Sequence, residues 1–145
     1  MAIETITAAL AAIEATITGL SAGRCFDQTP SSIDISPPFV LNVIESGTIL
    51  RSAGQGSRET THTIKVHLAV ADQSDLRVAE KAARPYINRF IDKMDQNKTI
   101  SGTCVVSEVT GYRYGPIQLH EGDAGYLGII FDLDCTEQED VVFAA

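Results

Sequence analysis

The stretch His62-Thr63-Ile64-Lys65-Val66-His67-Leu68-Ala69-Val70 alternates between apolar and polar residues. In an extended chain Ile64, Val66, Leu68 and Val70 fall on one face and Thr63, Lys65 and His67 on the other, the pattern of a half-buried strand. After Asp72-Gln73-Ser74, where Asp72 or Ser74 can cap the first free amides of a helix, the apolar spacing changes to Leu76, Ala79, Ala83, Ile87, Phe90 and Met94. Steps of three and four are helical. Arg77, Glu80, Lys81, Arg84, Asn88 and Asp92 occupy the opposite side, so this helix is expected to lie on the sheet with its charged face outward. Pro85 removes one backbone hydrogen bond, at roughly 3 kcal/mol if the helix continues, and predicts a kink or two short helices.

Upstream, Phe39-Val40-Leu41-Asn42-Val43-Ile44-Glu45 reads as a strand, and Ser46-Gly47 as a turn into Thr48-Ile49-Leu50-Arg51. The Gly- and Ser-containing stretch 52–58 is expected as a long loop between two strands that pair as a hairpin. Its Gly54-x-Gly56 is only a fragment of a dinucleotide fingerprint, with no helix after it. Residues 21–38 hold Pro30, Pro37 and Pro38 among polar residues without periodicity and predict a second long loop. Before it, Ile3, Ile6, Leu10, Ile13, Ile17 and Leu20 repeat at helical steps, giving an amphipathic N-terminal helix of about four or five turns that Gly19 and Gly23 end.

Downstream, residues 95–98 predict a turn and 100–110 a strand; 111–125 is expected as a long tip rich in Gly, Tyr and charge. From Tyr126 to Thr136 a returning strand sets Leu127, Ile129, Phe131, Leu133 and Cys135 against Gly128, Ile130, Asp132 and Asp134, one face core and the other partly acidic. The tail 137–145 is acidic and then apolar. It reads either as a disordered end or as a segment whose Val142 and Phe143 dock on a neighbouring subunit. The expected fold is therefore α+β: residues 1–145 as a single domain, an antiparallel sheet with long hairpins packed by an N-terminal helix and a central Pro-kinked helix.

A chain of 145 residues is long enough to bury a real core. Eleven basic against nineteen acidic residues give a formal charge of −8, which disfavours direct binding to nucleic-acid phosphates. Cys25, Cys104 and Cys135 are odd in number, scattered and without CxxC spacing, so reduced thiols are expected rather than a disulfide framework or a zinc site. No basic segment precedes an apolar core at the start, and no run of about 18 apolar residues occurs, so neither secretion nor membrane spanning is expected.

Chemistry-bearing constellations are sparse. His62 and His67 are separated by an odd number of positions, so on one strand they point to opposite faces; His120 lies in the tip. Asp132 and Asp134 share a strand face, where a solvated acidic surface outweighs a cation site or an acid/base pair, with no third ligand evident. No GxSxG elbow, P-loop, HExxH or recognisable nucleophilic cysteine motif occurs, and no catalytic, cofactor-binding or metal-binding residue is assigned. Tyr112, Arg113 and Tyr114, before Gly115-Pro116, could make a small stacking surface for a base or a sugar, but in so acidic a chain a packed protein contact outweighs it.

This order of elements, with Tyr112-Arg113-Tyr114-Gly115-Pro116-Ile117 and Tyr126-Leu127-Gly128-Ile129-Ile130-Phe131-Asp132-Leu133, resembles the tail terminator and tail-completion proteins of long-tailed bacteriophages across nearly the whole chain. The resemblance implies a non-enzymatic virion protein, made in the host cytoplasm, that forms a hexameric ring on the head-proximal end of the tail tube. There it ends polymerisation and offers a surface for head-tail joining. The implied partners are further copies of the chain, the tail-tube protein and the head connector or stopper protein, with DNA passing through the channel without specific binding and no membrane. Long loops that can reach neighbours fit such a ring, and the candidate subunit or partner contacts are Arg51, Gln55, Arg58, Tyr112, Arg113, Tyr114, Val142 and Phe143. The alternatives are another neck component, a head-completion, stopper or tail-tube protein, and a small ligand-binding or enzymatic domain.

Overall fold

The computed structural model describes residues 3–30, 35–51, 56–72, 76–117 and 125–140. The alternation centred on Ile64 to Leu68 becomes β3 (Ser57–Asp72), the middle strand of five. The others are β1 (Cys25–Phe26), β2 (Phe39–Arg51), β4 (Val106–Ile117) and β5 (Tyr126–Asp140), in the order β1-β2-β3-β5-β4. All neighbours are antiparallel except β1, which pairs parallel with Val40 and Leu41 of β2. Two helices, α1 (Ile3–Glu14) and α2 (Leu76–Asp95), complete an α+β fold.

The helices cover one face. Ile6, Leu10, Ile13 and Ile17 from the N-terminal segment, and Ala83, Phe90 and Met94 from α2, pack with Val40, Ile64, Val66, Leu68, Ile129, Phe131 and Leu133. Phe90 stacks on Phe131 with ring centroids 4.1 Å apart. The reverse face has a smaller cluster at one end, where Phe39, Ala69, Ile117 and Ile130 pack with Phe26, Ile35 and Tyr126; Phe39 and Tyr126 meet edge to face at 4.9 Å. Gly128 lies opposite Ala69, beside the register shift between Ala69 and Ala71. A Cβ there would fall 2.0 Å from the Leu68 carbonyl oxygen, so only glycine lets the two strands approach this closely.

Several boundaries differ from the sequence expectation. The first helix stops at Glu14 because its bonds tighten to three-residue steps, Thr16 N to Ile13 O and Ile17 N to Glu14 O, both 3.0 Å. The Thr16 hydroxyl also donates to Ile13 O at 2.6 Å, and Gly19 takes φ +97°, yet Ile17 still reaches the core. The turn expected at Ser46-Gly47 is a bulge at Glu45 within one continuous β2, since β3 keeps pairing on the other side. Strand β1 lies inside the expected loop 21–38, and α2 runs unbroken through Pro85, whose ring sits on the exposed face. Leu76, read as part of the buried stripe, is 67% exposed in the first turn of α2.

The strand expected over 100–110 begins only at Val106, because Ile100, Ser101 and Gly102 form a left-handed turn (φ +46°, +56° and +79°). Ile100 is fully buried there, and its carbonyl accepts the Thr103 hydroxyl at 2.7 Å. Residues 111–117 of the expected tip continue β4, and 137–140 of the expected tail continue β5 opposite 57–60 of β3. Ser57 and Arg58, assigned to the loop 52–58, are the first residues of β3. The remaining residues of that loop up to Gln55, the Ser74 cap, and 118–124 with His120 lie outside the described residues.

Candidate functional site

The sheet has two open edges. Beyond Leu41, no described strand pairs with the outer side of β2, and none pairs with the outer side of β4. The large exposed hydrophobic residues gather at these edges: Ile44, Ile49 and Leu50 on β2, and Val105, Val106, Tyr112 and Tyr114 on or next to β4. The two others, Leu76 and Val78, are in the first turn of α2, the helix that packs over β3, β5 and β4. A long edge rich in β-branched and aromatic residues is a template for pairing with another chain.

Tyr112 and Tyr114 point to the helix side of β4 and Arg113 to the reverse face, where its charge reaches His67. Arg51 ends β2 at the other edge, opposite Arg58. Arg58 Nε donates to the Glu139 carboxylate at 3.1 Å, with the Arg58 Nη2 to Glu139 ion pair alongside. The fold thus separates the Tyr-Arg-Tyr group, on the β4 edge, from Arg51 on the β2 edge and from Arg58 on the central strand β3. Gln55, Val142 and Phe143 lie outside the described residues. The edge group Ile44, Ile49 and Leu50 went unnoticed in the sequence, although apolar residues on both parities of a strand that also carries Glu45, Ser46 and Thr48 mark an incompletely covered strand.

Between the edges, the helix-free face carries a polar ladder. Thr61 and Thr136 hydroxyls meet at 3.0 Å, Thr63 donates to Asp134 Oδ1 at 3.0 Å, and Lys65 Nζ bonds Asp132 and lies 3.5 Å from Glu45 Oε2. Asp132 and Asp134 are therefore paired across strands rather than merely solvated, as the sequence reading had them. The Asp132 bond holds the Lys65 ammonium above its ordinary pKa. His67 is lowered, chiefly by burial and secondarily by Arg113 and Lys65. On the helix side His62 Nε2 stands 3.3 Å from Glu137 Oε1, facing away from His67 as strand parity requires. Among the described residues no group of three or more His, Cys, Asp or Glu is placed to hold a metal ion.

The group best built for a positional role was missed in the sequence. Glu14, at the end of α1, is completely buried; Asn42 Nδ2 of β2 donates to its Oε1 at 2.6 Å and to the Phe26 carbonyl of β1 at 3.0 Å. One amide thus ties together a helix, the short parallel strand and the sheet. Burial raises the Glu14 pKa to about 8, against the opposing effect of the Asn42 bond, and Cys25 nearby is pushed up to about 12 by burial and by Glu14. The sequence signal was a Glu directly beside Ile13, four residues after Leu10, on the apolar side of an Ala-rich helix.

Among the described residues no helix is long and apolar enough to cross a membrane. No protein-family model matches the sequence, and no curated protein matches it.

Proposed function

We propose that this chain is a ring-forming structural protein of the phage tail-terminator type, which caps the head-proximal end of a tail tube and joins it to the head. One observation carries the reading: among the described residues the large exposed apolar groups lie on two unlike edges at opposite ends of one sheet and in the first turn of α2. The two edges stand at opposite ends of an open five-stranded sheet and no described strand joins them, but the opposite edge of another copy can pair with each, and a repeated head-to-tail contact whose rotation closes makes a ring. A formal charge of −8 suits a channel through which DNA slides, because like charge supplies no phosphate neutralisation. The sequence resemblance given above supplies the biological setting.

Electron microscopy of particles from infected cells in which this one protein is not made tests the reading. Overlong or ragged free tails beside filled heads are expected. Tails of normal length that fail to join heads would assign the protein instead to the connector side of the neck, and normal virions would remove it from the neck altogether.

A further inference from the structure

We propose that residues 43–51 of one copy pair antiparallel with residues 107–115 of the next, so that the sheets of successive copies become one continuous sheet; this rests on the ring reading. Four features of the two edges match. Strand β2 runs antiparallel to β4 within the sheet, through the alternation β2-β3-β5-β4. A copy rotated about an axis along the strands therefore presents β4 antiparallel to β2, with the helices of both copies on the same side.

The free lengths also agree. Strand β1 covers β2 only as far as Leu41, and Pro116, which lacks a backbone N–H, ends the pairing capacity of β4 just after Gly115. Each free segment contains one bulge, at the register shift between Ile44 and Ser46 in β2 and between Val109 and Gly111 in β4. With Ile44 set opposite Tyr114, passing both bulges brings Ile49 opposite Val109, and residues of the same face meet throughout.

In that register the side chains are complementary. Ile44 with Tyr114, and Ile49 with Val109, form apolar pairs on the helix side, the β-branched and aromatic combinations that stabilise cross-strand neighbours. On the reverse face Arg113, which has no acidic partner among the described residues, comes beside Glu45, whose 50% exposed carboxylate is held only by Lys65 at 3.5 Å. The backbone groups of both edges gain partners, and exposed Ile44 and Tyr114 leave water.

Cysteine pairs test the register. Directly opposed residues of an antiparallel pair have Cα atoms about 4.5–5.5 Å apart, within disulfide reach. Chains carrying both Ile44→Cys and Tyr114→Cys are oxidised as the assembled oligomer and run on denaturing gels without reductant. A ladder of covalent multimers up to the ring size, abolished by reductant and absent from each single variant, is expected. The pair Ile49→Cys with Val109→Cys is expected to behave in the same way, which checks the register beyond both bulges and guards against misfolding of one variant. If the oligomer persists in solution while neither pair cross-links, the strand pairing is wrong and the ring reading stands. If the unaltered chain forms no oligomer, both fall.

Discussion

Asn42 Nδ2 donates a 2.6 Å hydrogen bond to the buried carboxyl of Glu14, joining the end of α1 to the second strand of the sheet. Burial makes the charged form costly, so the carboxyl is held mostly neutral at pH 7, with its pKa raised from 4.5 to about 8. A carboxyl raised in the folded state stabilises the fold fully below its unfolded pKa and loses that contribution as pH climbs through the folded value. Unfolding free energy is therefore expected to fall by about 1.4 kcal/mol per pH unit from this group across pH 5 to 8. In Glu14→Gln, which stays neutral, that slope should vanish; urea titrations at a series of pH values measure it, and an unchanged slope would show that Glu14 does not titrate in this range.

The contact of Gly128 with the Leu68 carbonyl makes Gly128→Ala a test of the β3–β5 pairing. A methyl group 2.0 Å from a backbone oxygen forces the strands apart at the bulge, and a loss of roughly 3 kcal/mol is expected by chemical denaturation. A loss under about 0.5 kcal/mol, the range of ordinary surface substitutions, would mean the strands do not approach this closely.

Phe90 and Phe131 are fully buried and stack where α2 meets the centre of the sheet. Phe90→Ala should cost about 3–5 kcal/mol in the same assay, by lost transfer free energy and the cavity left behind. Val78→Ala, in the exposed first turn of α2, provides the comparison and should cost far less.

The polar ladder is expected to matter little to stability. The side chains of Lys65 and Asp132 are 30% and 38% exposed, so water screens their attraction. Asp132→Asn is expected to cost less than about 1 kcal/mol. Combined with Asp134→Asn it should leave assembly unchanged, because both carboxylates sit on the inner strand β5 and bond across to β3 rather than to the outer side of either edge strand. Loss of the oligomer in the double variant, followed by light scattering, would place this face in the contact.

The parts of the fold legible in the sequence are those where one periodicity runs without competition. Ile64 to Leu68 and Leu127 to Cys135 alternate cleanly, and Ala79 to Met94 repeats at helical steps; the structure places all three as the spacing requires. The failures lie where tertiary pairing overrides a local signal. Ser46-Gly47 has turn chemistry, but β3 continues opposite and converts the irregularity into a bulge. The strand expected over 100–110 starts late because of the left-handed turn at Ile100 to Gly102, and a β-branched residue at positive φ leaves no propensity signal. Tyr112 to Tyr114 was not legible as part of an edge strand, because edge position depends on strand order. Glu14 shows in the sequence only as an acid beside Ile13; the partner that makes its burial tolerable, Asn42, is 28 residues away.

The mass of the purified chain in solution, measured by native mass spectrometry across a range of concentrations, tests the head-to-tail association most directly. A single closed species is expected, six copies by the resemblance to tail terminators, with no larger species as concentration rises, because closure leaves no free edge. A monomer at every concentration would contradict the association itself, and an open-ended series of ever larger oligomers would contradict its closure.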